Sequence, residues 1–249
     1  MSILQMMLGV GGGYVAKNSV LMTIAGAKKM SFTPATAGNR KTWTWSGWIK
    51  RTSISGNSGI FCSANTGGTP LSFYVSNTGA ITAVILGVGT QTTSGTPMPS
   101  TGIWYHVHIV FDSTQATAAN RCILTVNNVV YPFAANIVAL NTDYGIGFTS
   151  EQIIGFDSWG SAYCDAYIAE VTYVNGAVVP VSSFGETAPS SAWIPKKYSG
   201  AFGTTGYYLD FIDGITITTV CNDHSGSGNN LTPTNMSLSD WTTVAPPSA

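Results

Sequence analysis

Charge is what this sequence has least of. Lys, Arg, Asp and Glu make up 8% of its 249 residues, about a third of the usual share. The formal net charge is −1, which excludes a nucleic-acid partner, since that would demand a basic stripe. The pairs Arg40-Lys41 and Lys196-Lys197 read as solvated loop or edge charges. The shortage is not a mark of disorder, because hydrophobic residues reach 44%, enough to build a core. Ser, Thr, Asn and Gly must supply most of the polar surface.

Cysteine pairs of the metal or redox kind are missing too. Cys62, Cys122, Cys164 and Cys221 stand too far apart for a CxxC motif, and a domain of this size has little need of crosslinks. Cys122 alternates with Leu124 and Val126 like a small inward-facing apolar residue, so free, buried thiols are expected. No apolar run is long enough to cross a membrane. The apolar start, Met1 to Val10, lacks the basic region of a secretion signal. The serine-nucleophile motif Gly-x-Ser-x-Gly is absent, and Ser225-Gly-Ser-Gly228 has the character of a turn rather than a strand-to-helix elbow.

What is present is strand after strand. Helical periodicity is hard to find, while runs rich in Val, Ile, Tyr, Trp and Thr alternate with Gly, Ser, Asn and Pro, the pattern of an all-β sandwich. Residues 42–49 alternate so that Trp43, Trp45, Gly47 and Ile49 share one face and Trp48 packs from the other. Residues 104–111 put Tyr105, Val107, Ile109 and Phe111 on one side and His106 and His108 on the opposite one. Further strands are expected at 59–64, 70–76, 80–87, 121–126, 166–174 and 206–211. The segment 187–205, interrupted by Pro189 and Pro195, reads as a long surface crossing. The predicted organisation is one sandwich over residues 19–249, preceded by an arm over residues 1–18. In that arm Ile3, Leu4, Met6, Met7 and Leu8 form an uncharged apolar cluster, followed by a glycine joint at Gly11–Gly13. Such an arm suits assembly with other copies of the chain and with other subunits.

Several of these stretches, in order, resemble the laminin-G-like, concanavalin A-like domain of bacteriophage virion proteins. They are Thr33 to Arg51 with its Trp-Thr-Trp-Ser-Gly-Trp-Ile-Lys core, Trp104-Tyr-His-Val, Arg121 to Asn128, Tyr167-Ile-Ala-Glu-Val-Thr-Tyr, and Ser182 to Glu186. The resemblance covers about residues 19–240. It implies an all-β, antiparallel jelly-roll sandwich and a non-enzymatic structural subunit of the virion: a tail fibre, a spike or a capsid decoration. Such a protein is assembled in the host cytoplasm and then carried outside it. The alternative implied by the same resemblance is a carbohydrate-binding module that recognises a host surface glycan. One departure stands out. The stretches similar to an early strand and its Asp-x-Ser-Gly turn, Gly206 to Phe211 and Asp223 to Leu231, come at the end, which reads as a circularly rearranged sandwich.

Candidate sites each carry two readings. Glucanase relatives of this fold place paired acids on alternate positions of one strand, and cleavage requires such a pair. Here the nearest pair, Asp165 and Glu170, has an odd spacing that points them to opposite faces, so no catalytic residue is expected. His106 and His108 share a face and form half a zinc site without a third ligand nearby; the plainer reading is two exposed strand histidines. His224, in the Gly/Ser turn, is expected to be exposed. Calcium, the one cofactor considered, would use Asp223, Asn229 and Asn230, with Asp210 or Asp213 approaching. The competing reading is that these side chains hydrogen-bond their own turn. Finally, Asp157, Trp159 and Tyr163 lie in a Gly/Ser loop as an aromatic platform for carbohydrate or as the anchor of a subunit interface.

Overall fold

The computed structural model describes residues 14–64 and 68–248. The arm residues Ile3, Leu4, Met6, Met7 and Leu8 lie outside the described residues. The strands are, in chain order, β1 (Ser19–Met22), β2 (Lys29–Phe32), β3 (Thr42–Arg51), β4 (Ser58–Ser63), β5 (Leu71–Val75), β6 (Ile81–Ile85) and β7 (Gly89–Thr92). There follow β8 (Trp104–Asp112), β9 (Cys122–Val126), β10 (Val129–Tyr131), β11 (Gln152–Ile154), β12 (Phe156–Asp157), β13 (Ala162–Tyr163) and β14 (Ala166–Asn175). The last are β15 (Gly185–Thr187), β16 (Trp193–Pro195), β17 (Tyr207–Leu209), β18 (Thr232–Thr234) and β19 (Trp241–Thr242). The first large sheet runs β10-β9-β8-β3-β14-β1-β19, with β17 also paired to β14, and the second runs β18-β2-β11-β4-β5-β6-β7. The strand pairings within both sheets are antiparallel, as a jelly-roll sandwich requires. The C-terminal strands β17, β18 and β19 are built into both sheets.

Alternation sets the core. Trp43, Trp45 and Ile49 of β3 and Val107, Ile109 and Phe111 of β8 all enter it, because the register pairs Trp43 with Phe111 and Trp45 with Ile109. Trp43 stacks on Phe111 at 5.0 Å between ring centres and meets Phe61 and Phe73 edge-on, geometries that aromatic rings favour. Gly47 is the gap in this aromatic row for a steric reason: a Cβ there would stand 2.6 Å from the Trp45 ring. All four cysteines are buried and free.

The outer face of the first sheet differs from its sequence reading. His106 and His108 are buried, not exposed. The start of the segment read as a surface crossing, together with residues 179–186 before it, folds back as a covering layer that holds the hairpin β15–β16. Val179 donates its backbone N–H to Thr44 and its carbonyl contacts His108 Nε2 at 3.0 Å. The Trp193 indole reaches His106, Phe184 packs on His108, and Trp48 stacks on His106 from within the sheet.

Candidate functional site

Four groups of side chains carry the chemistry of the surface and its margins, and the turn around Trp159 is the most exposed. Asp157 ends β12 with its side chain fully inside. Its carboxyl accepts the Ser72 hydroxyl, the Trp159 N–H at 3.0 Å and the Gly160 N–H at 2.9 Å, an Asx turn that fixes the loop backbone. Asp157 is thus the anchor of this turn rather than a free polar group on its surface. The turn holds Trp159 outward, 56% exposed. The indole borders an open groove of about 250 Å³ with Val84, Val88, Gly89 and Thr90 at the tip of the β6–β7 hairpin. Ser72 and Ser158 lie on its other flank. Tyr163 is half-buried and packs on Phe156 at 4.8 Å, so the structure brings Asp157 and Trp159 together in one turn and spends the Tyr163 ring on the hairpin itself.

The Asp223 loop is closed on itself. Asp223 Oδ1 accepts the N–H groups of Tyr208 and Ser225, and Oδ2 accepts the Ser225 hydroxyl and the Asn229 N–H. Asn230 Oδ1 accepts the Asp223 N–H, and Asn229 Nδ2 donates to the carbonyls of Thr204 and Gly206. Both Asp223 oxygens and Asn230 Oδ1 thus face donors of their own loop, the arrangement of a turn that hydrogen-bonds itself. Among the described residues no three His, Cys, Asp or Glu side chains group as a metal site. Asp210 and Asp213, expected near this loop, instead grip His224, at 2.6 Å from Nδ1 and 3.0 Å from Nε2. His224 is therefore partly buried and clamped, not free in solvent. Burial lowers its pKa, but the two carboxylates outweigh burial and the net shift is upward.

The buried histidines form a pair that looks catalytic and is not arranged to act. Ser46 Oγ lies 2.8 Å from His106 Nε2, the spacing of a nucleophile and its base. However, the Trp193 indole N–H donates to His106 Nδ1 at 3.0 Å. Nδ1 must then be the unprotonated nitrogen, and Nε2 carries the hydrogen that points at Ser46. A ring in that tautomer cannot take the serine proton. Burial first, then the neighbouring His108, lowers the His106 pKa well below the ordinary value; burial pushes that of His108 down to about 4. With its nitrogens so committed, His106 offers no ligand to a zinc ion.

Glu170, weighed from the sequence only as half of an acid pair with Asp165, forms a fourth group. The pairing of β14 with β3 slips between Ala169 and Thr172, and Glu170 sits in this bulge with φ of 50°. That left-handed conformation is uncommon for any residue but glycine. The odd spacing from Asp165 therefore says nothing about opposite faces, because a bulge resets the alternation. Asp165 itself precedes β14 and accepts the Ile24 N–H at 2.7 Å. The Glu170 carboxyl is buried against two phenols, Tyr14 Oη at 2.9 and 2.8 Å from its two oxygens and Tyr208 Oη at 2.6 Å. Burial raises its pKa to about 7; the hydrogen bonds from Tyr208 and Tyr14 and the charge of Lys197 oppose the rise, and Asp210 adds to it. A signal was legible. Inward residues fall on even numbers at Ala166 and Ile168 and on odd numbers at Val171 and Tyr173, so the parity flips across Glu170.

Residues 25–182 match the model of the concanavalin A-like lectin/glucanases superfamily. Among solved structures, a candidate carbohydrate binding protein from Bacteroides ovatus superposes with a TM-score of 0.61 at 14% identity, over 95% of this chain and 62% of that one. The chain therefore spans less than two thirds of that protein's length. A heptameric SAP-like pentraxin from Limulus polyphemus gives a TM-score of 0.48 at 14% identity, over 67% of this chain and 79% of that one. Tailspike protein 2 from an Escherichia coli O157:H7 bacteriophage gives 0.46 at 17% identity, over 67% of this chain and 23% of that one. At these identities the likeness is one of fold. No curated protein matches the sequence.

Proposed function

The chain belongs to the concanavalin A-like lectin/glucanase superfamily, and from that premise we propose that it is a non-catalytic module that recognises saccharide at the Trp159 groove, carried as a structural subunit of a phage particle. The observation that carries the recognition role is the exposed indole on a turn whose backbone Asp157 locks. A sugar's apolar face stacks on such a ring, and a rigid turn lets it do so without paying to order the loop. Thr90, exposed at the hairpin tip, supplies an uncharged polar group along the groove.

The non-catalytic part rests on the chemistry of the two candidate centres. The Ser46–His106 pair is buried in a tautomer that cannot abstract a proton. Glu170 is covered by Tyr14 and Tyr208, and Asp165 is tied to the backbone of Ile24. A glycan array on the full chain tests recognition: the wild-type protein binds a defined subset, and Trp159→Ala loses it. Equal binding by the variant defeats the groove reading. If instead Trp159→Ala changes the oligomeric state by sedimentation, the indole is an interface anchor. Incubation with bacterial surface polysaccharides is expected to release no reducing ends above a heat-treated control.

The particle role is supported by the virion-like run Trp43 to Lys50, by the scarcity of charge and by the uncharged apolar cluster Ile3 to Leu8. Residues 14–18 lie against the sandwich, with Ala16 and Asn18 buried, so an anchor in residues 1–13 is tethered directly to a folded domain. Deleting residues 2–13 is expected to leave the sandwich folded and to abolish incorporation into particles; normal incorporation removes the anchor role.

A further inference from the structure

The N-terminal segment meets the sandwich at a small cluster of oxygens. Besides the contacts to Glu170, the phenol oxygens of Tyr14 and Tyr208 lie 2.8 Å from each other. The three groups thus touch pairwise, Tyr14 to Glu170, Tyr208 to Glu170 and Tyr14 to Tyr208. Each such oxygen pair needs a hydrogen between its members. With Glu170 ionised only the two phenol hydrogens exist, and one pair is left with lone pair facing lone pair. With Glu170 protonated, each of the three groups donates once and accepts once, and the ring closes. The arrangement is that of the protonated acid.

We propose that this ring is a proton-operated latch: it holds residues 14–18 to the sandwich while Glu170 keeps its proton and lets them loosen when the proton leaves. Tyr14 is the partner that gives way, because Tyr208 is held in β17 by its pairing with Thr172. The surroundings give the anion little help. Among the described residues Glu170 has no ion-pair partner, and Lys197 places its ammonium over the Tyr208 ring, 5.1 Å from the ring centre. Asp210, the other charge facing Glu170, is clamped by His224. As His224 deprotonates, Asp210 loses its counter-charge, which moves opening toward higher pH without reversing it. An ionised carboxylate in this place gains most by admitting water, and Tyr14, which lies outside any strand, is the ring member that can make room for it. A latch of this kind fits the strained backbone at Glu170, since conformations that cost energy persist where a switch is built.

Trypsin on the full-length chain reads the latch, because Lys17 is exposed and is the first Lys or Arg in the sequence. Cleavage after Lys17 is followed by intact mass. Rates at about pH 6 and about pH 8.5 are divided by those for a free peptide spanning residues 11–22, which removes the enzyme's own pH dependence. The wild-type normalised rate is expected to rise about tenfold between the two conditions, as a one-unit linkage would give. Glu170→Gln, which keeps a neutral donor and acceptor in the ring, is expected to show a flat profile. Tyr14→Phe is expected to be cut fast at both pH values while the sandwich stays folded. A flat wild-type profile overturns the latch, and so does a Tyr14→Phe rate equal to wild type at about pH 6. Those two measurements decide the matter even if Glu170→Gln fails to fold.

Discussion

Asp157 and Glu170 are both buried carboxyl side chains in the same half of the chain, and they are satisfied in opposite ways. Asp157 is held by two backbone N–H groups and a serine hydroxyl, donors whose hydrogens stay in place at any pH the fold survives. Glu170 receives no backbone donor among its hydrogen bonds; it has two phenols and a geometry that counts protons. The first arrangement makes a rigid turn that can present a ring to a ligand. The second makes a joint that responds to its surroundings. Burial alone does not say which role an acid has; the identity of its donors does.

The comparison is broken most severely by Asp157→Ala. The variant strands the buried Ser72 hydroxyl, at about 1–3 kcal/mol, and unties two N–H groups of the exposed loop, whose hydrogen bonds contribute about 0.5–1.5 kcal/mol each, so a loss of about 2–5 kcal/mol in urea unfolding is expected. A loss below about 1 kcal/mol would mean the turn holds itself without its anchor.

Glu170→Gln should move the other way, and only above neutral pH. The folded carboxyl titrates at about 7 against 4.5 for the free group, so the fold favours its protonated form. The stability it contributes is fully present below about 4.5, falls as pH rises, and is lost above about 7, a swing of about 3 kcal/mol. The glutamine variant is expected to exceed wild type by up to that amount at about pH 8 and to match it in acid. His224, whose pKa is also raised, loses its contribution in the same direction and accounts for the residual slope. Equal pH slopes in the two proteins would remove the contrast.

Smaller effects sharpen it. Trp159→Ala is expected to change stability by less than about 0.5 kcal/mol, the range for exposed positions, while glycan binding disappears. That separation of binding from stability is what a presented ring predicts and a packed one does not. Smallest of all, chelation of calcium is expected to leave the thermal midpoint where it was, because Asp223 is saturated by its own loop.

The sandwich was legible where alternation was unbroken. β3, β8 and β9 fall where the period-two runs place them, and Trp43, Trp45, Ile49 and Phe111 are core as expected. Alternation assigns a face, however, and not what later covers it. His106 and His108 lie on the predicted side of β8, yet Val179, 71 positions after His108, and Trp193, 87 positions after His106, help to bury them. No local pattern carries that contact. The exposed Trp159 was legible from its Gly/Ser setting, whereas the inward turn of Asp157 depends on Ser72, from another strand. The setting of Glu170 was missed because its bulge was read as a continuous strand, and its partner Tyr14 lies 156 positions away.

The buried cysteines make the surface a blank page for thiol chemistry. Burial pushes the thiols of Cys62, Cys122, Cys164 and Cys221 up to about 12, so at neutral pH none offers the thiolate that maleimides or disulfide reagents attack. A cysteine introduced on the rim would be the sole reactive handle among the described residues. Dyes, spin labels or crosslinkers could then be fixed at one chosen point, and distances from that point to neighbouring subunits or to a bound glycan measured without first stripping the native sulfurs from the core.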